Sequence, residues 1–305
     1  MDFDGLLAEL GTGRTAALAR AISLVENGRP GFEQLLSAVH RKLGHARRVG
    51  ITGPPGAGKS TLAQQLVRLW RARGNTVAVV AVDPTSPHSG GALLGDRIRM
   101  DGVALDSGVY IRSMATRGSL GGLATSTREA CDVLDAAGFD RILIETVGVG
   151  QSELAVTSMA DSTVLVLVPE SGDGIQALKS GVMEVADLYV INKADRPGAA
   201  NLAREIEVTQ GIRQGNAFRG MKKAVGGVAG SGGTVSPSWT PPVILMVATT
   251  GAGVESLVEA LERHHAWLEQ GGELAARRRK RFAARTREVV DRAMHRWVWG
   301  ETRAE

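Results

Sequence analysis

The chain has 305 residues, with 36 Lys and Arg against 32 Asp and Glu, a formal charge of +4. Hydrophobic residues make up 43% and charged residues 22%, enough apolar surface for a proper core and too ordinary a balance for a disordered chain. One cysteine, Cys131, excludes an internal disulfide and cannot alone form a thiolate metal site, which fits a reducing cytoplasm. The acidic start, Met1-Asp2-Phe3-Asp4, is not expected to be a signal peptide, and no stretch reaches membrane-spanning length.

In chain order, residues 1–46 read as a helical segment. Leu6, Leu7 and Leu10 share one face, Leu18, Ala21, Ile22 and Val25 another, and Phe32 to Leu43 forms a third helix. A predicted strand, Val49–Thr52, runs into Gly53-Pro54-Pro55-Gly56-Ala57-Gly58-Lys59-Ser60, followed by a helix to Arg73 that Thr61 opens. Strand, glycine loop and helix are the context that makes G-x-x-x-x-G-K-[ST] a phosphate cradle. Backbone N–H groups and the helix N-terminus face phosphate oxygens, Lys59 reaches the β- and γ-phosphates, and the Ser60 hydroxyl sits on Mg²⁺.

Strand Thr76–Val82, a weakly periodic segment Asp83 to Asp106, strand Val109–Ser113, helix Gly122–Ala137 and strand Arg141–Glu145 follow. Beyond them come strand Ser162–Val168, helix Ile175–Val185, strand Leu188–Asn192 and helix Ala199–Thr209. The chain is expected to loosen after Gly211, with a flexible loop over Gly226 to Ser238, before strand Val243–Val247 and helix Val254–Glu269. Alternating strands and helices predict an α/β fold, a P-loop NTPase with a doubly wound, mainly parallel sheet. It spans 47–270, between the N-terminal helices and a C-terminal helical extension at 271–305 that carries Arg277, Arg278, Arg279, Lys280, Arg281, Arg285, Arg287, Arg292 and Arg296. That basic helix reads as a solvated face or a self-association arm; nucleic acid ranks behind both, because aromatic interleaving is confined to Phe282, Trp297 and Trp299.

Asn192-Lys193-Ala194-Asp195 stands at a predicted strand end, where ligands bind in such sheets. The Asp195 carboxylate can accept the paired N–H edge of guanine, with Asn192 bracing the pocket and the Lys193 stem covering the base; this favours GTP over ATP. Ala248 and Thr249 open a second loop on the base side. Glu145-Thr146-Val147-Gly148 fits a γ-phosphate sensor, Glu145 toward Mg²⁺ and the Gly148 N–H toward phosphate. Asp83, Asp96 and Glu145 would crowd acids around a phosphate, which requires a cation; for Asp96 a helix N-cap is an equal alternative.

Gly53–Ser60, Ala81–Ser86, Gly90–Met100, Thr116–Gly122, Ile144–Glu153, Gly172–Lys179, Asn192–Asp195 and the N-terminal Leu18–Glu26 together resemble the MeaB/ArgK-type GTPases of the SIMIBI class, over about residues 14 to 280. The resemblance implies a cytoplasmic, Mg²⁺-dependent GTP hydrolase that acts as chaperone for an adenosylcobalamin-dependent acyl-CoA mutase, gating cofactor loading and protecting or reactivating it. Lys59, Asp83, Asp96 and Glu145 would form its catalytic centre, Ser60, Asp83 and Glu145 its metal ligands, and Asp173, Gln176 and Lys179 a switch toward the mutase. It also implies GTP and GDP as substrate and product, no cobalamin held by this chain, and a homodimer whose C-terminal arm reads as shortened at Glu305. The sequence departs from the family at Glu170 and Gly174, where Gly and an acid are usual. The competing readings are a metallochaperone NTPase, which needs His and Cys clusters, and a P-loop kinase or ATPase, which does not need Asp195.

Overall fold

The computed structural model describes residues 3–11, 14–83, 100, 102–115, 120–146, 152–169, 181–224 and 238–298. Helices α1 (Phe3–Gly11), α2 (Thr15–Glu26) and α3 (Phe32–His40) precede strand β1 (Arg47–Thr52) and helix α4 (Lys59–Ala72). Strands β2 (Val77–Asp83) and β3 (Val109–Ala115), helix α5 (Leu120–Ala136), strand β4 (Arg141–Thr146) and a short helix α6 (Ser152–Thr157) follow. The chain continues through β5 (Ser162–Leu167), a 3₁₀ turn (Gly181–Glu184), β6 (Leu188–Ile191), α7 (Ala199–Ala224), β7 (Val243–Leu245), α8 (Val254–Gln270) and α9 (Glu273–Arg296).

The strands form one sheet in the order β3-β2-β4-β1-β5-β6-β7, and every pairing is parallel. β1 lies at its centre, so the loop that leaves β1 opens where the strand order reverses and a crevice must form. Period-2 alternation explains the two faces. Ala78, Val80, Val82, Ile142 and Ile144 point to a core shared with α1, α2, α3 and α5. Val77, Val79, Leu143, Val164, Val166, Leu188 and Val190 point the other way, onto Leu62, Leu66 and Trp70 of α4 and Leu257, Val258 and Leu261 of α8. A further cluster joins Leu165, Leu167, Tyr189 and Ile191 to Leu202 and Ile206 of α7. Residues that are apolar on both faces of a strand require helices on both sides, which is the doubly wound arrangement.

Some local expectations are corrected. α7 does not end at Thr209 but runs to Ala224. Gly211, Gly215 and Gly220 each cost about 1 kcal/mol relative to alanine, and the intervening Arg, Gln, Ala and Lys residues are strong enough helix formers to carry the chain through them. Strand β7 is cut to Val243–Leu245, because Val247 instead makes an isolated antiparallel bridge with Ala252 that turns the chain into α8. The close of the predicted helix Ile175–Val185 is a 3₁₀ turn, Gly181–Glu184; its earlier part lies outside the described residues, as does most of Gly226 to Ser238. Helix α6 has no counterpart in the periodicity reading. No helix among the described residues is long and apolar enough to cross a membrane.

The basic last helix is not a solvated face along its whole length. Arg277, Arg278, Arg281, Arg285 and Arg292 fall at spacings that bring them to one side of α9, and that side is laid across the N-terminal edge of the sheet. Arg277 forks onto Asp187 at 2.9 and 3.0 Å. Arg281 donates to Asp161 at 2.7 Å and to the Met159 carbonyl at 3.1 Å. Arg278 reaches Asp161 and the Ala46 carbonyl, Arg285 lies 3.0 Å from Asp132, and Arg292 pairs with Glu129.

The acids on the receiving side stake the strand entrances. Asp135 accepts backbone N–H bonds from Gly44, His45 and Ala46 ahead of β1. Asp161 accepts the Arg48 N–H, and Asp187 the Thr163 N–H. The buried Arg48 guanidinium spans Asp132 at 2.8 Å and Asp135 at 3.0 Å. Burial pushes the Asp161 carboxyl up, but Arg281, Arg278 and the Arg48 N–H outweigh it and hold the group well below the usual carboxylate range. Asp187 follows the same pattern, with burial opposed by His264 and Arg277.

Candidate nucleotide site

The loop between β1 and α4 folds as its glycines require. Gly53 has φ 138° and Gly58 φ 87°, both in the region that side chains disfavour. A Cβ on Gly53 would overlap the Val166 carbonyl oxygen of β5, and one on Gly58 would overlap the Asn192 side-chain amide. The chain therefore passes at a distance that only hydrogen allows. Gly53→Ala is expected to destabilise the protein by about 1–3 kcal/mol through overpacking and φ strain. Denaturant unfolding measures it, and a change below about 0.5 kcal/mol would show the loop free to move off β5.

Lys59, buried at the first turn of α4, donates from Nζ to the Gly53 carbonyl at 2.8 Å and the Pro54 carbonyl at 2.9 Å. The ammonium is thereby laid along the inside of the loop, while Pro55 and Gly56 at its tip are exposed and Ala57 is buried. The next residue, Ser60, donates its hydroxyl to Glu145 Oε1 at 2.6 Å. Glu145 is 5% exposed and sits near the C-terminal end of β4, opposite Ile51 of β1 and Ala81 of β2. Asp83 ends β2, beyond the pair Val82 and Thr146. The structure thus gathers the Ser60 and Glu145 oxygens and the β2 end at one edge. Thr61 follows, half-buried on α4. Asp96, Gly148, Asp173, Gln176 and Lys179 lie outside the described residues.

The second half of the site is built around Asn192. Its amide donates to the Ala57 carbonyl at 2.8 Å, and its Oδ1 accepts the Ala248 N–H at 3.0 Å. One buried side chain therefore fastens the phosphate loop to the loop after β7. Lys193 has φ 57°, the one described non-glycine residue with positive φ. That turn is fixed by Ala194 N–H donating to the Met246 carbonyl at 2.9 Å, and it leaves Asp195 exposed, as is Thr249.

Sequence reading missed Gln65, whose Nε2 donates to the Ala248 carbonyl at 3.0 Å and braces that loop from α4. Chemically, the crevice offers a loop shaped for phosphate, hard oxygen donors at Ser60 and Glu145, and an exposed carboxylate above a braced loop pair.

Comparison with known proteins bears on the same residues. Residues 18–303 match the family described as methylmalonyl Co-A mutase-associated GTPase MeaB. The chain belongs to this family. It is a GTP hydrolase of the P-loop class, and its fold and the sequence resemblance agree. A protein of Pyrococcus horikoshii described as a GTPase is 45% identical over 293 residues, covering 94% of this chain and 85% of the relative. The mouse protein "Methylmalonic aciduria type A homolog, mitochondrial" is 38% identical over 289 residues, covering 90% of this chain and 66% of the relative. Among solved structures, that of an "LAO/AO transport system kinase" superposes with a TM-score of 0.70 at 28% identity, covering 97% of this chain and 86% of the other. This MeaB-family chain is therefore a mutase-associated GTPase at the level of its family.

Proposed function

We propose that the chain is a Mg²⁺-dependent, guanine-specific GTPase that serves as chaperone to an adenosylcobalamin-dependent acyl-CoA mutase, its nucleotide state gating cofactor loading and protecting or reactivating the partner. The observation that carries the nucleotide part is the pair of hydrogen bonds made by Asn192, donated to the Ala57 carbonyl and accepted from the Ala248 N–H, which joins the phosphate loop to a base-side loop beside Asp195. A site that pairs a carboxylate with the guanine edge rejects a base lacking those donors by about 10⁴–10⁵.

In this reading Gly53 to Thr61 cradle the phosphates, Lys59 neutralises the β- and γ-phosphates, and Gly148 donates its N–H to the γ-phosphate. Asn192, Lys193, Asp195, Ala248 and Thr249 hold the base. Ser60, Asp83 and Glu145 would hold Mg²⁺, and the oxygen-only donors fit a hard cation; when bound it supplies charge neutralisation between the phosphates. Asp83, Asp96 and Glu145 position the attacking water, and catalysis is mainly positioning plus charge neutralisation. Asp173, Gln176 and Lys179 carry the nucleotide state to the mutase, the chain itself holds no cobalamin, and it works in the cytoplasm. Family membership supports the mutase partner.

Calorimetric titration of wild type and Asp195→Ala with GDP and ATP tests the base assignment. Wild type is expected to bind GDP at least a thousandfold more tightly than ATP, and Asp195→Ala to lose that preference. Equal binding of ATP that survives the substitution would overturn it. Stimulation of GTP hydrolysis by a cobalamin-dependent acyl-CoA mutase, or its absence, decides the partner.

A further inference from the structure

The nucleotide crevice uses the C-terminal ends of the strands; a separate cavity lies at their N-terminal ends. It is about 340 Å³ in volume, open to solvent on one side, and bordered by α5, the end of α6, the start of β5 and α9. Arg128, Arg277, Lys280 and Arg281 line it, together with the hydroxyl-bearing Thr157 and Ser158, and among the described residues no carboxylate does. β5 begins here at Ser162 and ends beside the phosphate loop, so the cavity and the nucleotide lie a strand length apart, about 20 Å.

Charge in this corner is under-compensated. A single carboxylate, Asp161, serves both Arg278 and Arg281. Arg277 shares Asp187 with His264, and Arg128 has Glu288. Lys280 is exposed and has no carboxylate partner among the described residues. Arg128 is 5% exposed, and its Nε is buried with no hydrogen-bond partner. Burial works against the Arg281 charge; Asp161 opposes that effect, but with the neighbouring Arg48 and Arg278 the balance still leaves its pKa below the ordinary guanidinium value. Buried cations in this state gain from an added anion more than exposed ones do.

We propose that this cavity binds a small multivalent anion bearing phosphate or carboxylate groups. Lys280, Arg128 and Arg281 supply the charge, while the Ser158 hydroxyl, which donates to the Ala155 carbonyl at 2.7 Å, lines the wall. Such a ligand fastens α9 to α6, the helix that follows the γ-phosphate-sensing stretch. The inference stands apart from the choice of mutase partner.

The test uses the full chain loaded with Mg²⁺ and a non-hydrolysable GTP analogue, so that the phosphate loop is filled. Inorganic phosphate and citrate are titrated separately while thermal unfolding is followed, against sodium chloride at equal ionic strength. A specific anion at ten times its Kd is expected to raise Tm by about 2–4 °C. Lys280→Glu should abolish the rise, and Arg287→Glu, an exposed charge change on the same helix outside the cavity, should retain it. Whichever of phosphate or citrate acts identifies the ligand class. No rise beyond chloride with either anion, or an equal rise in Lys280→Glu, would overturn the proposal.

Discussion

Arg48→Ala is expected to lower the unfolding free energy by about 3–5 kcal/mol, the largest stability loss foreseen for a single substitution in this chain. Arg48 is 4% exposed, and its guanidinium is shared by Asp132 and Asp135, which are as deeply buried. Burial disfavours its charge, yet Asp132 and Asp135 outweigh that and push its pKa upward, so the arginine is charged in every folded molecule. Removing it leaves two buried carboxylates facing one another, with Arg285 the remaining cation on Asp132. Denaturant midpoints at unchanged m-value measure the loss, and a cost below about 1 kcal/mol would mean that Arg285 can replace Arg48 alone.

The same corner sets the acid limb of stability. Asp161 and Asp187 have folded pKa values below their unfolded ones. In acid the unfolded chain therefore binds more protons, and the contribution of these groups is fully present above the unfolded carboxylate pKa, about 4. It is lost as pH falls below that value toward the depressed folded pKa values.

Lys59→Ala is expected to reduce kcat for GTP by about 10²–10³, the size of effect found when one preorganised charge-stabilising donor is removed. The side chain lies along the inside of the loop, held by the Gly53 and Pro54 carbonyls, so its charge is fixed where the loop would hold phosphate. Single-turnover phosphate release measures the effect; a loss under threefold would show that the loop backbone and Mg²⁺ suffice. Because the carbonyls of Gly53 and Pro54 lose their ammonium partner, GDP affinity should fall as well, by a smaller factor.

Much of this architecture was legible in the sequence because its signals are local. A strand buried on both faces, such as Val77 to Val82, is a continuous apolar run rich in β-branched residues, and the glycines of 53–58 announce a loop whose φ values only glycine adopts freely. The location of Asn192 at a strand end likewise follows from an apolar run of four residues, Leu188–Ile191. Its bonds to Ala57 and Ala248 do not, since they join segments 135 and 56 positions away.

Long-range charge pairing was the least legible part. The arginines of α9 looked like surface charges because their partners, Asp161, Asp187 and Asp132, stand far back in the chain. The usable sign was positional: Asp161 and Asp187 fall just before apolar strands, where an acid can receive strand N–H groups, and Arg277, Arg281 and Arg285 recur every four residues. Gly211, by contrast, misled because a glycine's local preference is worth only about 1 kcal/mol and the surrounding helix formers exceed it.

The placement of α9 has a consequence for how the polypeptide comes off the ribosome. Asp187 is made 90 residues, and Asp161 116 residues, before the ribosome adds Arg277, with Arg278 and Arg281 later still. Until then the sheet's base holds acids without their counterions, so a nascent chain that closes early must leave this edge hydrated and loose. The nucleotide crevice at the opposite edge has no such dependence, and GTP could be engaged before the last helix docks. Vectorial synthesis would then finish the protein from the ligand end toward the base, and a chain stalled before Glu273 would bind nucleotide while remaining an easy target for proteases.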